Sequence, residues 1–204
     1  MPGTSSAPPS QATAKQLDLE QRLAVLTPTD TTRGFLFNAA LELVKGDVGE
    51  DALKRCHEAS GGLGFTAFFS YPVGTLLKLV YAAAHELSGR YGGFDEALRQ
   101  LGDRGAPRFL ESATGKRLLA QVDTEPRRLV DSLPTAYRMA WDHGTCSLTW
   151  TGPRSGRVSY ENAMPVAYFA GSVSRMLTAA RLTGPRVTGR QVGLTACAVD
   201  FAWE

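Results

Sequence analysis

The sequence predicts an α+β fold, in which helices fill the N-terminal two-thirds of the chain and pack on a small antiparallel sheet. Three observations support this prediction. Apolar residues recur with the 3.6-residue period of helices before His143, and with the two-residue period of strands from residue 145 onward. A length of 204 residues suits one domain. A composition of 43% hydrophobic and 21% charged residues is typical of globular proteins and excludes collagen-like, coiled-coil and fully disordered chains.

The first 30 residues are predicted to form a disordered or weakly ordered tail, which leaves residues 31–204 as a single ligand-binding-like domain. The opening stretch MPGTSSAPPSQATA has three prolines and no apolar segment, so we expect neither a signal peptide nor a transit helix. No stretch reaches the roughly 18 consecutive apolar residues of a membrane span, because Lys78, His85 and Glu86 interrupt the richest apolar run. We therefore expect a cytoplasmic protein without a membrane span.

Charge and cysteine content exclude further classes of protein. The chain has 22 Lys and Arg against 20 Asp and Glu, and a formal charge of +2 is too small to indicate nucleic-acid binding by itself. Its three cysteines are scattered, whereas disulfide frameworks and zinc sites use paired, close spacings. We expect a reduced compartment and no metal site.

The first predicted helix covers residues 33–45 and follows a possible capping group at residues 30–32. Its surface is apolar almost all round, which predicts burial on several sides. A shorter helix is predicted over residues 49–60. The clearest helix begins at Pro72 and ends near Gly92, since its apolar residues follow the i, i+3, i+4, i+7 pattern.

Shorter helices are predicted to follow, with loops around Gly105 and Gly115 between them. They cover residues 94–101, residues 108–122, and a segment from Pro126 that Pro134 kinks or splits.

Two hairpins flank the last predicted helix. Residues 145–151 alternate as a strand, residues 152–156 have turn composition, and residues 157–160 return as the second strand. An amphipathic helix is predicted over residues 165–181. The predicted strands of the final hairpin are residues 186–191 and 194–203.

Several local motifs give this order of elements a resemblance to known proteins. They are Gly34-Phe35-Leu36-Phe37, Tyr71-Pro72-Val73, Pro165-x-x-Tyr168-x-x-Gly171 and Val199-Asp200-Phe201-x-Trp203. Over about residues 32–203 the chain resembles an uncharacterised paralogous family found in myxobacteria. That family is remotely similar to the superfamily of 4-vinyl-reductase-type domains, haem-nitric-oxide sensor domains and TRAPP small subunits. The resemblance implies helices packed on a small antiparallel sheet, often around an apolar cavity, and it does not fix the function.

The haem-binding branch of that superfamily uses a proximal histidine and a Tyr-x-Ser-x-Arg motif. None of the six tyrosines here begins that motif, so we expect no haem and no other cofactor. A histidine can ligate iron without the motif, which leaves His85 and His143 as alternatives.

Aromatic residues supply the candidate ligand or interface residues. The segment FTAFFSY is more aromatic than one buried turn requires, and Tyr81 and His85 share one flank of the long helix. Core packing accounts for these residues equally well. The candidates are Phe65, Phe68, Phe69, Tyr71, Tyr81, His85 and Tyr168.

A catalytic alternative rests on His143 beside Asp142, since a neighbouring carboxylate can make an imidazole a base. A nucleophile is missing, because Cys146 is predicted to face the core with Leu148. We therefore expect no catalytic residues and a protein that is not an enzyme.

Basic residues cluster near the predicted turns and raise the alternative of a nucleic-acid binder. Without groove-reading helices or stacking aromatics, a solvated surface is the expected outcome. We expect a bacterial, non-enzymatic binding or signalling module, a homodimer that senses an apolar small molecule or docks a protein partner. The basic residues are Lys116, Arg117, Arg127, Arg128, Arg154, Arg157, Arg186 and Arg190.

Overall fold

The computed structural model describes residues 11–204, which form an α+β fold and confirm the predicted fold class. The helices of this part of the chain are α1 (Gln11–Ala24), α2 (Gly34–Asp47), α3 (Glu50–Ala59), α4 (Val73–Tyr91), α5 (Phe94–Gly105), α6 (Pro107–Glu111), α7 (Ala113–Leu119), α8 (Pro126–Asp131), α9 (Leu133–Ala140) and α10 (Val166–Ala179). The strands are β1 (Thr31–Arg33), β2 (Ser70–Pro72), β3 (Thr145–Gly152), β4 (Ser155–Glu161), β5 (Arg186–Gln191) and β6 (Ala196–Ala202).

The two predicted hairpins join into one antiparallel sheet with strand order β3-β4-β6-β5. Val158 of β4 pairs with Val199 of β6, and both side chains are fully buried. Helix α10 packs on β5 and β6 and, on its other side, on α5. The core therefore lies between the sheet and the helices, with α10 in the middle.

Glycines bring α5 and α10 into backbone contact. A Cβ atom built on Gly102 of α5 would lie 1.8 Å from the carbonyl oxygen of Tyr168, and one on Gly171 of α10 would lie 1.9 Å from that of Arg99. The Ser172 hydroxyl donates to the Gly102 carbonyl at 2.9 Å. This crossing fixes the position of Tyr168 next to the end of α5.

Most predicted elements are present, with differences at some boundaries. Residues 30–32 were expected to cap the first long helix, but Thr31–Arg33 pairs with Ser70–Pro72 as a small second sheet. Thr32 does not cap the helix because its hydroxyl donates to the Ala140 carbonyl. The loop predicted around Gly115 is wrong: Gly115 lies within α7, where a Cβ would meet the Phe109 carbonyl at 2.1 Å.

The predicted weakly ordered tail differs from the structure over residues 11–24, which form α1. Arg22 of α1 is 4% exposed, and its guanidinium donates to the carbonyls of Ala163 at 2.8 Å and Leu194 at 3.0 Å. Asp18 accepts hydrogen bonds from Arg22 and from the Tyr81 hydroxyl. These polar contacts hold a helix whose own sequence is mostly polar. The first ten residues of the predicted tail lie outside the described residues.

Candidate functional site

A cavity of about 60 Å³ lies between the helices and the sheet. That volume holds on the order of four or five water molecules, and it is well below the ~300–1,000 Å³ of sites for drug-sized ligands. Its lining is mostly apolar and comes from five helices, from the α5–α6 and α9–β3 junctions and from one strand. The lining residues are Phe35, Leu36, Gly105, Ala106, Phe109, Leu133, Ala136, Tyr137, Met139, Ala140, Trp141, Tyr160, Tyr168, Phe169, Ser172 and Met176.

Tyr168 brings a free hydroxyl to this apolar lining. The residue is 3% exposed, and its hydroxyl has no hydrogen-bond partner within residues 11–204. Burial raises the pKa of Tyr168, so the phenol is neutral at physiological pH. The hydroxyl faces the space of the cavity, so a molecule inside it can bond to this oxygen. A hydrogen bond from a ligand to this hydroxyl would contribute about 0.5–1.5 kcal/mol.

The other two tyrosines of the lining are already engaged. The Tyr137 hydroxyl donates to the His143 carbonyl at 2.5 Å and accepts from the Asn162 amide at 2.8 Å. Tyr160 stacks on Phe169 with 4.0 Å between ring centroids, and its hydroxyl interacts with the Cys146 thiol. The hydroxyls of Tyr137 and Tyr160 therefore bond within the protein, whereas the Tyr168 hydroxyl does not.

An outer groove of about 410 Å³ lies beside the cavity. Phe35 and Met139 line both spaces, so their side chains form the wall between them. Phe35 is 4% exposed and Met139 is 36% exposed. The remaining residues of the groove are Arg33, Phe68, Arg108, Glu111 and Ser112.

The structure separates the seven residues predicted as ligand or interface residues. Tyr168 lines the cavity and Phe68 lines the outer groove. Phe69 is 65% exposed and lines neither space. Phe65 and Tyr71 form an aromatic cluster with Phe37, whose ring lies 4.2 Å from that of Phe65.

Tyr81 and His85 lie away from this cavity, and Tyr81 lines a separate surface groove of about 330 Å³. Tyr81 is buried, and its hydroxyl donates to Asp18 of α1. His85 is exposed, with its ring 4.8 Å from that of Phe94. Both residues lie on the side of α4 that faces α1 and α5. Their spacing therefore predicted that they share one face of α4, but it did not predict which helices pack on that face.

Several cavity residues were missed as site residues because their shared location depends on the tertiary fold. One signal was present: Tyr137 and Trp141 are four residues apart at the end of α9, and both rings face the core. The residues missed include Tyr137, Trp141, Tyr160, Phe169 and Met176.

His143 and Asp142 do not pair with each other. The His143 Nδ1 atom lies 2.9 Å from the Asp30 carboxylate, which also accepts from the Thr27 backbone N–H at 2.6 Å. These contacts, the Thr27 bond first, lower the pKa of Asp30. Asp142 instead binds the Arg33 guanidinium at 3.0 Å.

Cys146, the cysteine nearest to His143 in sequence, is not an activated nucleophile. Burial raises the pKa of Cys146 to about 12, so its thiol stays protonated and unreactive at neutral pH. Among residues 11–204 no three His, Cys, Asp or Glu side chains are grouped to hold a metal ion. In the same part of the chain no helix combines the length and apolar character needed to cross a bilayer.

Comparison with known proteins identifies a matching family and solved structures with a similar fold. A family model described as protein of unknown function (DUF2378) matches residues 25–204. No curated protein matches the chain. Among solved structures, a variant of the Fe(II) unliganded H-NOX protein from K. algicida is similar at a TM-score of 0.65 and 16% identity, over 84% of this chain and 96% of that one.

An H-NOX protein from S. oneidensis in the Fe(II)NO state has a TM-score of 0.61 at 11% identity, over 84% of this chain and 99% of that one. At these identities the likeness shows a shared fold. It agrees with the haem-nitric-oxide sensor branch of the predicted superfamily. The myxobacterial, 4-vinyl-reductase and TRAPP parts of that resemblance stay predictions.

The residues of the cavity do not fit a haem. A porphyrin is many times larger than 60 Å³, and the lining contains no histidine or cysteine to ligate iron. It also contains no Arg or Lys to pair with propionates. Of the alternatives for iron ligation, His85 is exposed on α4 and His143 is bound to Asp30. The lining tyrosines are held in the neutral form by burial, which makes them poor iron ligands.

Proposed function

We propose, since this chain belongs to the DUF2378 family and shares its fold with H-NOX domains, that it is a haem-independent signalling module that senses a small, mostly apolar molecule. The ligand occupies the cavity beside α10 and hydrogen-bonds to Tyr168. The observation that carries this proposal is that Tyr168 lines an otherwise mostly apolar cavity with a hydroxyl that has no hydrogen-bond partner among residues 11–204.

The size and lining of the cavity define the ligand class. A volume of about 60 Å³ admits a molecule of only a few non-hydrogen atoms in this conformation. Aromatic and aliphatic walls favour an apolar body, and Tyr168 favours one donor or acceptor group. Charged ligands are disfavoured because no charged side chain lines the cavity.

The ligand reaches the cavity through the outer groove. Met139 separates the two spaces, and the unbranched methionine side chain adopts alternative rotamers at low cost. Movement of Met139 opens a route without unfolding α9. A bound ligand then contacts α10 through Tyr168 and Met176. Helix α10 packs between the sheet and α5, so a shift of this helix would affect both.

NMR of methionine methyl groups tests this proposal directly. Met139 and Met176 line the cavity, whereas Met164 is fully buried outside it and serves as an internal control. The protein with ¹³C-labelled methionine methyls is exposed to xenon, an apolar probe, and separately to propan-2-ol, which adds a hydroxyl. We expect both probes to shift the Met139 and Met176 signals and to leave Met164 in place.

Tyr168→Phe separates the apolar and hydrogen-bonding parts of recognition. One hydrogen bond contributes about 0.5–1.5 kcal/mol, so we expect the variant to bind propan-2-ol about two- to tenfold more weakly and xenon unchanged. Uniform shifts of the Met139, Met164 and Met176 signals, or none with either probe, would rule out the cavity as a binding site. Equal loss of both probes in the variant would rule out the role of the hydroxyl.

The predicted homodimer, protein partner and absence of enzymatic activity stay predictions. Native mass spectrometry of the protein purified without added ligand measures the oligomeric state and any retained small molecule in one spectrum. A retained apolar compound would be a candidate ligand of the cavity.

A further inference from the structure

A second groove, of about 590 Å³, lies at the end of the molecule where α10 stops and β6 ends. This volume is within the ~300–1,000 Å³ range of small-molecule sites. Four arginines from three segments line it, namely Arg127, Arg128, Arg154 and Arg181. Pro126, Pro153, Leu182 and Trp203 supply apolar and aromatic surface.

Two of these guanidinium groups have no carboxylate partner within the described residues. Arg127 lies over the Trp150 ring, 3.9 Å from its centroid, and Arg154 makes no side-chain ion pair. The two carboxylates of the lining are engaged, Glu125 by Arg128 and Glu204 by Arg186. Arg127 and Arg154 therefore leave the groove with positive charge that no carboxylate of the described residues pairs, and Trp150 holds one of the two guanidinium groups.

Arg181 lies at an unusual backbone position at the edge of this groove. It is the one non-glycine residue in the part of the chain described here with a positive φ, at 56°. This position follows α10, where glycine is the usual residue because a Cβ is unfavourable there. Its guanidinium is fixed on Asp123 at 2.7 Å. This position places the Arg181 guanidinium, paired with Asp123, at the groove.

We propose that this groove binds a nucleoside diphosphate or a closely related nucleotide. Guanidinium groups bind phosphate oxygens through paired, charge-assisted hydrogen bonds, and Arg127 and Arg154 are free to do so. A base stacks favourably on aromatic side chains, and Trp203 is the aromatic residue of the lining. An acidic peptide would satisfy the charge but would not use the aromatic surface.

Calorimetric titration with ADP in a buffer without divalent cations tests this site. We expect saturable binding that weakens as salt is added, with pyrophosphate and adenosine each binding at least tenfold more weakly than ADP. Arg127→Ala and Arg154→Ala should each weaken ADP binding at least fivefold. Arg190→Ala is the matched control, because Arg190 is exposed, has no ion pair among the described residues and lies outside the groove.

Arg181→Gly distinguishes a binding role from a structural one. Glycine suits the positive φ, so we expect an unchanged or higher melting temperature together with weaker ADP binding. No ADP binding, or equal losses in Arg154→Ala and Arg190→Ala, would overturn the site. Pyrophosphate binding as tight as ADP would overturn the nucleotide assignment, as would tighter binding of a glutamate-rich peptide.

Discussion

At the residue scale, the role of each buried tyrosine is decided by the partner of its hydroxyl. Tyr81 donates to Asp18, Tyr137 donates to the His143 carbonyl, and Tyr168 has no partner within residues 11–204. Asp18 is 63 positions from Tyr81 in the chain. The sequence analysis named both Tyr81 and Tyr168 as candidate site residues. It could not tell them apart, because a hydrogen-bond partner far away in the chain leaves no local sequence pattern.

Asp30 gives a prediction of pH dependence at the same scale. Its pKa lies below the ordinary value of 3.8, chiefly because it accepts from the Thr27 N–H and also because it faces His143. A lowered folded-state pKa means that its stabilising contribution is complete above pH 3.8 and is lost as the pH falls through the lowered value. We expect Asp30→Asn to reduce the free energy of unfolding by about 1–2 kcal/mol at pH 7.

Urea unfolding of both proteins between pH 7 and pH 2.5 measures this effect. The difference between wild type and Asp30→Asn should shrink as the pH falls below 3.8. Glu42→Gln is the control, since Glu42 is exposed and has no ion pair among the described residues. A difference that stayed constant down to pH 2.5 would contradict the role of the Asp30 carboxylate.

At the scale of elements, local patterns predicted most of the helices and both hairpins. Pro72 marked the start of α4, which begins at the next residue, and Pro134 marked the split between α8 and α9, because proline is not tolerated beyond the first turn of a helix. The β1–β2 pair escaped prediction, since three-residue strands have no period and their partners are about 39 positions apart. Gly115 was read as a loop because the sequence cannot distinguish a glycine that breaks a helix from one required by close packing.

The crossing of α5 and α10 gives a prediction for that pair of elements. Gly171→Ala would bring a methyl group to 1.9 Å from the Arg99 carbonyl, so the helices must separate. Overpacking of this kind costs typically ~1–3 kcal/mol. We expect the upper end of this range because the obstructing groups, the Arg99 carbonyl and the Asp103 nitrogen, belong to the backbone. Thermal unfolding measures the loss.

Gly89→Ala in α4 is the matched control. No atom lies within 4 Å of a Cβ built there, and the position is exposed. Alanine is favoured over glycine in a helix by about 0.8–1.0 kcal/mol, so this variant should be more stable than wild type. Destabilisation of equal size in both variants would show that the crossing is not the cause.

At the scale of the whole molecule, the cavity could be expected only as part of a family resemblance. Its lining runs from Phe35 to Met176, and no window of sequence contains more than a part of it. The outer groove and the arginine groove are likewise assembled from separate segments. Local periodicity predicts which faces are apolar, whereas the location of a space left between those faces depends on how all the elements meet.

Helix α1 is also held by contacts with segments that are far away in the chain. Arg22 joins three parts of the molecule, because it lies on α1 and donates to Ala163 before α10 and to Leu194 between β5 and β6. Arg22→Met retains most of the apolar contact and leaves both carbonyls without this donor. We expect the free energy of unfolding to fall by about 2–3 kcal/mol, since each buried acceptor left unsatisfied costs about 1–3 kcal/mol.

Lys15→Met is the comparison on the same helix, because the Lys15 ion pair with Asp95 is largely exposed and such pairs contribute about 0–1 kcal/mol. Urea unfolding should show a loss for Arg22→Met at least twice that for Lys15→Met. Hydrogen exchange should show faster exchange in α1 and around Ala163 and Leu194 together, since one side chain holds all three. Faster exchange confined to α1 would mean that the helix is an appendage, and the predicted boundary at residue 31 would then describe the stable unit.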